Sequence, residues 1–463
     1  MEQLDMRRES VGKLLLKSAA PAMIGMLLQS VYMMIDGIFV GQGTGPLGLA
    51  AVNLSMPVLQ VGTAIAFMLV IGGATYTAIA LGEGDTEKAQ NTFNMVSKAL
   101  LISSITFTVF GVLFADIIAT LLGAGSDTHS MVSGYIRILS FFMPFFMSTM
   151  MLESGLRTLG HPMKSMFVLG FGALLNIGLD WLFIMKFGWG VNGAAIATGI
   201  SQVVSTLILL QNYIKPDSVL KLKNIPLDSK VIKPILFNGS SEFATGIALG
   251  VSTYLFNIIL LSLKGSMAVS AYSIVMYISQ IVFMVQYGIA AGMQPIISFN
   301  YGAGSDVRLK KTLRLALISS SIAGLMASIT LLYFGKPISI LFIGNKPDLI
   351  DITVRASLFA SVMYIPAGIN ILMSAYYTAV DKPIESATIA TLRSLVFIVI
   401  GLMTLPTAFG LDGVWMTMPV AEVLTLVACF VILFIHKQKN NTSIQNTSAK
   451  TKLGQSPITE TSL

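Results

Sequence analysis

Charge is scarce in this chain. Asp, Glu, Lys and Arg make up 11% of its 463 residues, less than half the share of a soluble domain, which excludes a water-solvated globule. Cysteine is nearly absent. Cys429 alone, mid-way along an apolar stretch, permits no internal disulfide and no thiolate metal site. The three histidines, His129, His161 and His436, are scattered through loops and ends, and no His/Cys/carboxylate cluster has metalloenzyme spacing, so no metal or cofactor is expected. The GxxxxGK[ST] loop of nucleotide-driven machines is missing. No catalytic motif falls inside an apolar segment, so an enzyme is not expected. No polar stretch would form the folded extramembrane domain of a receptor or scaffold.

What is present is hydrophobic length. Apolar residues are 54% of the chain and the mean hydropathy is +0.78. Runs of roughly 20 apolar residues recur, each long enough to cross a bilayer core of about 30 Å. They are continuous rather than alternating, which argues against a β-barrel. The fold class is therefore an all-α integral membrane protein, surrounded by membrane lipids. Twelve segments are predicted, at about 14–40, 47–81, 92–122, 132–152, 163–185, 190–213, 234–262, 267–300, 307–334, 353–378, 384–407 and 411–436. Met1 to Ser10 is polar and the first apolar run lacks a small-residue cleavage site, so no cleavable signal is expected.

Basic residues set the orientation. With both termini inside, roughly 22 of the 29 Lys and Arg residues fall on the cytoplasmic side, and Lys186, Lys264, Lys336 and Lys346 fall outside. The net charge of +7 thus reports topology, and no nucleic-acid partner is expected. The localisation expected is the bacterial inner membrane, multi-pass, with N- and C-termini cytoplasmic.

The longest interior polar connection, Tyr213 to Pro234, divides the segments six and six. At an offset of about 220, Gly72, Gly82, Gly84, Gly190 and Gly193 fall on Gly292, Gly302, Gly304, Gly410 and Gly413. Near 221, Pro162 falls on Pro383. Glycines mark tight turns and close backbone approach, so the same six-helix unit is built twice. Six is even, so the copies run in the same direction, a parallel repeat about the membrane normal. The domains expected are an N-terminal lobe over 1–213, a linker over 214–233, a C-terminal lobe over 234–436 and a disordered cytoplasmic tail over 437–463.

Asp36 is the only Asp, Glu, Lys, Arg or His between Lys17 and Glu83. A carboxylate inside a membrane segment costs a few kcal/mol on insertion scales and marks an ion or substrate pathway. At 1.5 Å per residue, Asp36, Tyr135, Asn176, Asp180 and Thr198 share one depth in the outer half of the first six segments. Asn176 and Asp180 are i and i+4, hence on one face. Two nearby carboxylates cannot both ionise cheaply, so the set could exchange a proton or hold Na+ on the oxygens of Asp36, Asp180 and Asn176. The alternative is two carboxylates snorkelling to water near helix ends.

The second half carries a different set. Arg393 and Glu422 are expected to form a buried structural pair, leaving Glu242 either in a coupling or substrate site or snorkelling at the cytoplasmic end. Asp116 with Arg137, and Asp351 with Arg355, are expected to pair near the outer ends. Pro21, Pro57, Pro144, Pro295 and Pro366 lie within segments and are candidate hinges or static kinks. Pro21 sits about four turns from Asp36 on the same helix. The 27 Met and 26 Phe residues suit a cavity for lipophilic ligands and lipid-facing surfaces equally.

Over about residues 10–436 the chain resembles the MATE (multidrug and toxic compound extrusion) family, in its bacterial MepA-like and DinF-like branches. The matching stretches are AAPAMIGMLLQSVYMMIDGIFVGQ, ESGLRTLGHP, NIGLDWLFI, GVNGAAIATGISQ, NGSSEF and QPIISFNYGAG. The resemblance implies two six-helix lobes around a central cavity open alternately to each side. It also implies secondary active efflux of lipophilic or cationic drugs in exchange for H+ or Na+. Carried over by motif, the family's first-lobe acidic network falls on Asp36, Tyr135, Asn176, Asp180 and Thr198. Sodium-coupled relatives use second-lobe carboxylates on helices seven and ten. Here helix seven offers Glu242, but segment ten offers Asn370 and no carboxylate, which tilts the expectation towards protons. The rival within the superfamily, a flippase for lipid-linked precursors, predicts a cavity rich in Arg and Lys, and segments one to six offer only Arg137. A monomer is expected.

Overall fold

The computed structural model describes residues 3–215, 218–343 and 347–453, and the regular structure among them is helical. The first helix spans Val11–Glu83, 73 residues. Drawn straight it would be about 110 Å long, several times the apolar thickness of a bilayer. Gly45 divides it. Its φ of 68° and ψ of −165° suit only glycine, and Pro46 fixes the start of the next span. Residues 11–44 form α1 and residues 46–83 form α2. They are followed by α3 (Thr86–Leu113), α4 (His129–Thr158), α5 (Pro162–Asp180) and α6 (Gly190–Ile214). The second set is α7 (Ser240–Lys264), α8 (Ser266–Gly302), α9 (Asp306–Ile343), α10 (Pro347–Ala379), α11 (Pro383–Thr391, resuming over Phe397–Phe409) and α12 (Leu411–Leu453). The predicted twelve spans are present.

Several boundaries differ from expectation. The third segment stops at Leu113, and Ala115–Leu121 forms a separate short helix. The seventh breaks at Gly239, leaving Ser229–Asn238 as a short helix of its own before α7. The last helix continues to Leu453 although a disordered tail is expected from 437, because extending an already nucleated helix is cheap. Residues 454–463 and Lys346 lie outside the described residues.

The repeat is visible in the backbone. Gly84 and Gly304 both close turns with left-handed φ (85° and 65°), as do Gly190 and Gly410 (58° and 56°). Where the first lobe has left-handed Gly160 (φ 78°), the second has Asp381 (φ 54°), at the offset that relates Pro162 to Pro383. The lobes meet at the end of the bundle that carries the N-terminus. There a Cβ on Gly82 would lie 2.0 Å from the Phe299 carbonyl oxygen, and a Cβ on Gly302 2.1 Å from that of Ile79. No side chain fits at either position, so α2 and α8 cross backbone to backbone about the pseudo-twofold axis.

The lobes also exchange helix ends. Leu4, Leu14, Leu15 and Ala19 pack in one core with Ile289, Met293, Leu372 and Cys429 of the second lobe. Ile235, from the short helix before α7, packs with Phe93, Met147 and Tyr213 of the first. Further along α1, Val40 packs with Tyr135, Ile184 and Val191, in the first lobe's own core. One helix thus belongs to both lobes, and Pro21 lies where it changes allegiance.

The segment before α1 crosses the same seam. Leu4 N–H donates to the Gly160 carbonyl (2.9 Å), and Arg308 of α9 donates to the Met6 and Glu9 carbonyls (2.9 Å each). Asp5 turns the chain by accepting from the Arg7 and Arg8 amides, which hold its carboxyl below the usual carboxylate range.

Candidate functional site

The chemistry of the first lobe collects around Asp180, the last residue of α5. Asp180 is fully buried, Asn176 is 2% exposed and Tyr135 is 4% exposed, while Asp36 and Thr198 are half-buried. Helical periodicity puts Asn176 and Asp180 one turn apart on the side of α5 that faces α1 and α6. With its nitrogen turned towards Asp180, the Asn176 amide donates to Asp180 Oδ2 (3.0 Å), and its oxygen accepts from the Thr198 amide and hydroxyl (3.2 and 3.3 Å). This is the orientation that leaves neither end of the amide facing its like. Asp36 and Asp180 lie within hydrogen-bonding contact. A hydrogen bond between two carboxyl groups needs a proton on one of them. Asp36 Oδ1 and Asp180 Oδ1 are both shielded from the surface and bond to no group of the protein. No Lys or Arg forms an ion pair with either carboxylate among the described residues.

The helix does not end quietly at Asp180. Trp181–Lys186 continues it as a π-helical turn, a local widening that recurs at functional sites.

Asp36, Asn176, Asp180 and Thr198 therefore come together, while Tyr135 is buried nearby against Val40 and Ile184 and makes no hydrogen bond to them among the described residues. Sequence reasoning missed two neighbours on α1, Gln29 and Tyr32. They line a small cavity together with Thr149, Asn176, Thr198 and Gln202. The signal was available: positions 29, 32 and 36 follow the spacing of one helix face.

The second lobe's set is built differently. Arg393 Nε donates to Glu422 Oε1 at 2.7 Å, and both side chains are buried (14% and 7% exposed). Asn370 of α10 donates to the other carboxylate oxygen and to the Glu422 carbonyl (2.8 Å each). Arg393 also lies over the Phe283 ring, 5.8 Å from its centre, and reaches the Tyr287 hydroxyl at 3.4 Å. The predicted pair is present, and it too sits in a π-helical turn, Leu392–Val396. Glu242 lies within the field of Arg393 but forms no ion pair among the described residues. Pro21 is buried, and the backbone around it stays helical.

At the far end of the bundle, Arg137 pairs with Asp116 at 2.9 Å as expected. The expected Asp351–Arg355 couple is not formed. Arg355 Nε instead donates to Asp412 at the start of α12, at 2.6 Å. Asp412 offers both carboxylate oxygens to the planar guanidinium, a better match than a neighbour on the same helix.

The model of the MatE family matches residues 21–182 and again residues 243–403, once in each lobe. The chain belongs to the MatE family. That membership makes it a multi-pass membrane transporter rather than an enzyme. Among MatE relatives, the multidrug export protein MepA of Staphylococcus aureus is 25% identical over 440 residues, covering 93% of this chain and 95% of that one. In three dimensions the fold matches the outward-facing conformation of a multidrug resistance MATE family transporter of the MOP superfamily. There the TM-score is 0.89 at 22% identity, over 96% of this chain and 99% of that one. A MOP superfamily transporter from Pyrococcus furiosus matches with a TM-score of 0.87 at 23% identity, over 94% and 98%. The two MatE matches start at 21 and 243, within about two residues of the offset of the glycine repeat, so the parallel two-lobe architecture and the family assignment support each other.

Proposed function

We propose that this protein is a secondary active multidrug exporter that exchanges lipophilic or cationic drugs for H+, with Na+ as the other candidate ion. In this reading it sits in a bacterial inner membrane with both termini cytoplasmic. The observation that carries the ion coupling is the Asp36–Asp180 pair, with two shielded carboxylate oxygens that no protein group satisfies. A proton on the pair, or Na+ on the oxygens of Asp36, Asp180 and Asn176, neutralises charge that the protein itself leaves uncompensated. In the outward-open state the pair takes its ion from outside. Neutralisation lets α1 repack, bending near Pro21, where the ring removes the hydrogen bond to the Lys17 carbonyl. The hinge is supported by the allegiance of α1, which packs on the second lobe as far as Met23 and on the first lobe from Gly25, within a turn or so of Pro21. Repacking disfavours bound drug, which leaves on the outer side.

Each ion entering down the membrane potential supplies about 2.3 kcal/mol per 100 mV, so one or two suffice for substantial export. Arg393 and Glu422 have a structural role in this reading, and Glu242 is the carboxylate left to meet a cationic substrate. The lipid-linked precursor flippase gains no support from the first-lobe cavity, which has no basic side chain in its lining.

The test is dye efflux from inverted vesicles energised by a pH gradient alone or a sodium gradient alone. A response to the pH gradient is expected; a response to sodium only would reverse the choice of ion. Asp36→Asn is expected to abolish export at normal expression, and wild-type export by that variant would refute the mechanism.

A further inference from the structure

Across the seam between the lobes, one side chain is held at a visible backbone cost. Asp381, in the turn between α10 and α11, is the only residue other than glycine with positive φ among the described residues. Its counterpart in the first lobe is Gly160, for which the left-handed conformation is free. Aspartate tolerates that conformation but does not prefer it. Strain of this kind, kept where glycine would serve, points to a use for the side chain.

The use is visible in its bonds. Asp381 Oδ1 accepts from Asn238 Nδ2 at 3.0 Å, within its own lobe, and from the Tyr76 hydroxyl at 2.8 Å, from α2 of the other lobe. Asn238 is fully buried and is fixed in turn by the Thr378 carbonyl (3.2 Å). It is the last residue of the short helix that breaks from α7 at Gly239. Tyr76 stands between the two tight glycine crossings of α2, at Gly72 against Ile235 and Gly82 against Phe299. One turn of polar contact, Gln294 to Thr75 at 3.4 Å, lies beside it. The carboxylate therefore has one partner, Asn238, whose side chain is tied to the second lobe by Thr378 although its short helix packs on the first, and one, Tyr76, that belongs to α2 of the first lobe and must leave when the seam opens.

We infer that Asp381 is the clasp of the seam: its carboxylate, held ready by Asn238, takes the Tyr76 hydroxyl when the lobes close at the N-terminal end and releases it when they part. The inference rests on the alternating-access reading above, but not on the identity of the cargo or the ion. On the other side of the axis the Gly160 carbonyl receives Leu4 instead, so the two sides of the seam are fastened by unlike means.

The test uses the full chain with Cys429→Ala, which removes the single native thiol. Spin labels go on Glu87→Cys and Val307→Cys, two exposed positions related by the repeat. Their separation reports whether the seam is shut. Tyr76→Phe removes only the hydroxyl, and Asp381→Gly keeps the left-handed turn while removing the carboxylate. Each is expected to lower the closed-to-open ratio roughly tenfold, the effect of one hydrogen bond to a charged group. The double variant is expected to go no further than either single change, because both remove the same contact. Two populations in the wild type with a ratio that neither variant moves would overturn the clasp alone, as would effects that add in the double variant. One unchanging distance in all proteins, whatever ion or dye is supplied, would overturn the clasp together with alternating access.

Discussion

Two polar clusters sit inside the two lobes, on helices related by the repeat, and they solve opposite problems. In the second lobe, Glu422 has Arg393 on one carboxylate oxygen and Asn370 on the other. Its charge is met entirely from within. In the first lobe, Asp36 and Asp180 meet each other, Asn176 serves one oxygen of Asp180, and the inward Oδ1 atoms serve nothing in the protein. A buried charge without a partner is expensive, and a buried pair of like charges more so. The same fold thus contains a closed site, whose electrostatics are complete, and an open one whose carboxylate oxygens the protein leaves unpartnered. The closed site holds helices α10, α11 and α12 together. In the proposed exchange the open one changes state with its ion.

Breaking the closed site is expected to have the largest effect on stability. Arg393→Gln strands Glu422 in a buried setting and should lower the unfolding free energy by roughly 3–5 kcal/mol. The paired replacement Arg393→Met with Glu422→Leu should recover most of that loss, since it removes both charges at similar volume. Thermal unfolding in detergent reads both. If Arg393→Gln unfolds with the wild type, the pair does not hold the lobe together and the contrast between the sites fails.

In the open site the expected effect is smaller and falls on ion affinity instead. Asn176→Leu deprives Asp180 Oδ2 of its donor and frees Thr198, at a cost of about 1–3 kcal/mol. At roughly tenfold per 1.4 kcal/mol, that shifts the ion dependence by about one to two powers of ten, towards tighter binding for a proton, because the charged carboxylate has lost its donor, and towards weaker binding for Na+, which has lost the amide oxygen. The readout is the external ion concentration that gives half-maximal dye export, with thermal stability near wild type. A fall in stability without a change in ion dependence would make Asn176 a structural amide and nothing more.

How much of this could be read from the chain depends on how local each signal is. Helix count and repeat were legible because bilayer thickness and glycine crossings impose fixed lengths and offsets. Asp36, Asn176, Asp180 and Thr198 were legible because a polar side chain in an apolar run has a depth that can be counted. Arg355 was misassigned because the i,i+4 neighbour is visible in sequence while Asp412, on the adjoining helix, is not. Asn238, Tyr76 and Asp381 could not be grouped at all. They come from three separate elements, and only the packing of the lobes brings them together. The exchange of α1 between the lobes was hidden for the same reason, since nothing in its composition changes at Pro21.

Tyr32 offers the finest test of the comparison, because it is the neighbour that the sequence signalled least clearly. It stands one turn from Asp36 on α1 and lines the cavity beside Gln29. A hydroxyl there cannot neutralise a carboxylate, but it can orient the approach of an ion to the pair. Tyr32→Phe keeps the ring and removes a neutral hydroxyl, whose hydrogen bonding to an entering ion's water is worth about 0.5–1.5 kcal/mol. The expected result is a shift of roughly two- to tenfold in the ion dependence of export, with maximal rate and stability retained. In the second lobe the matching change, Tyr287→Phe, removes a long 3.4 Å contact to an arginine already satisfied by Glu422. It should leave ion dependence unmoved. Equal shifts from the two variants would mean that both clusters feel the ion, and the division into one open and one closed site would have to be abandoned.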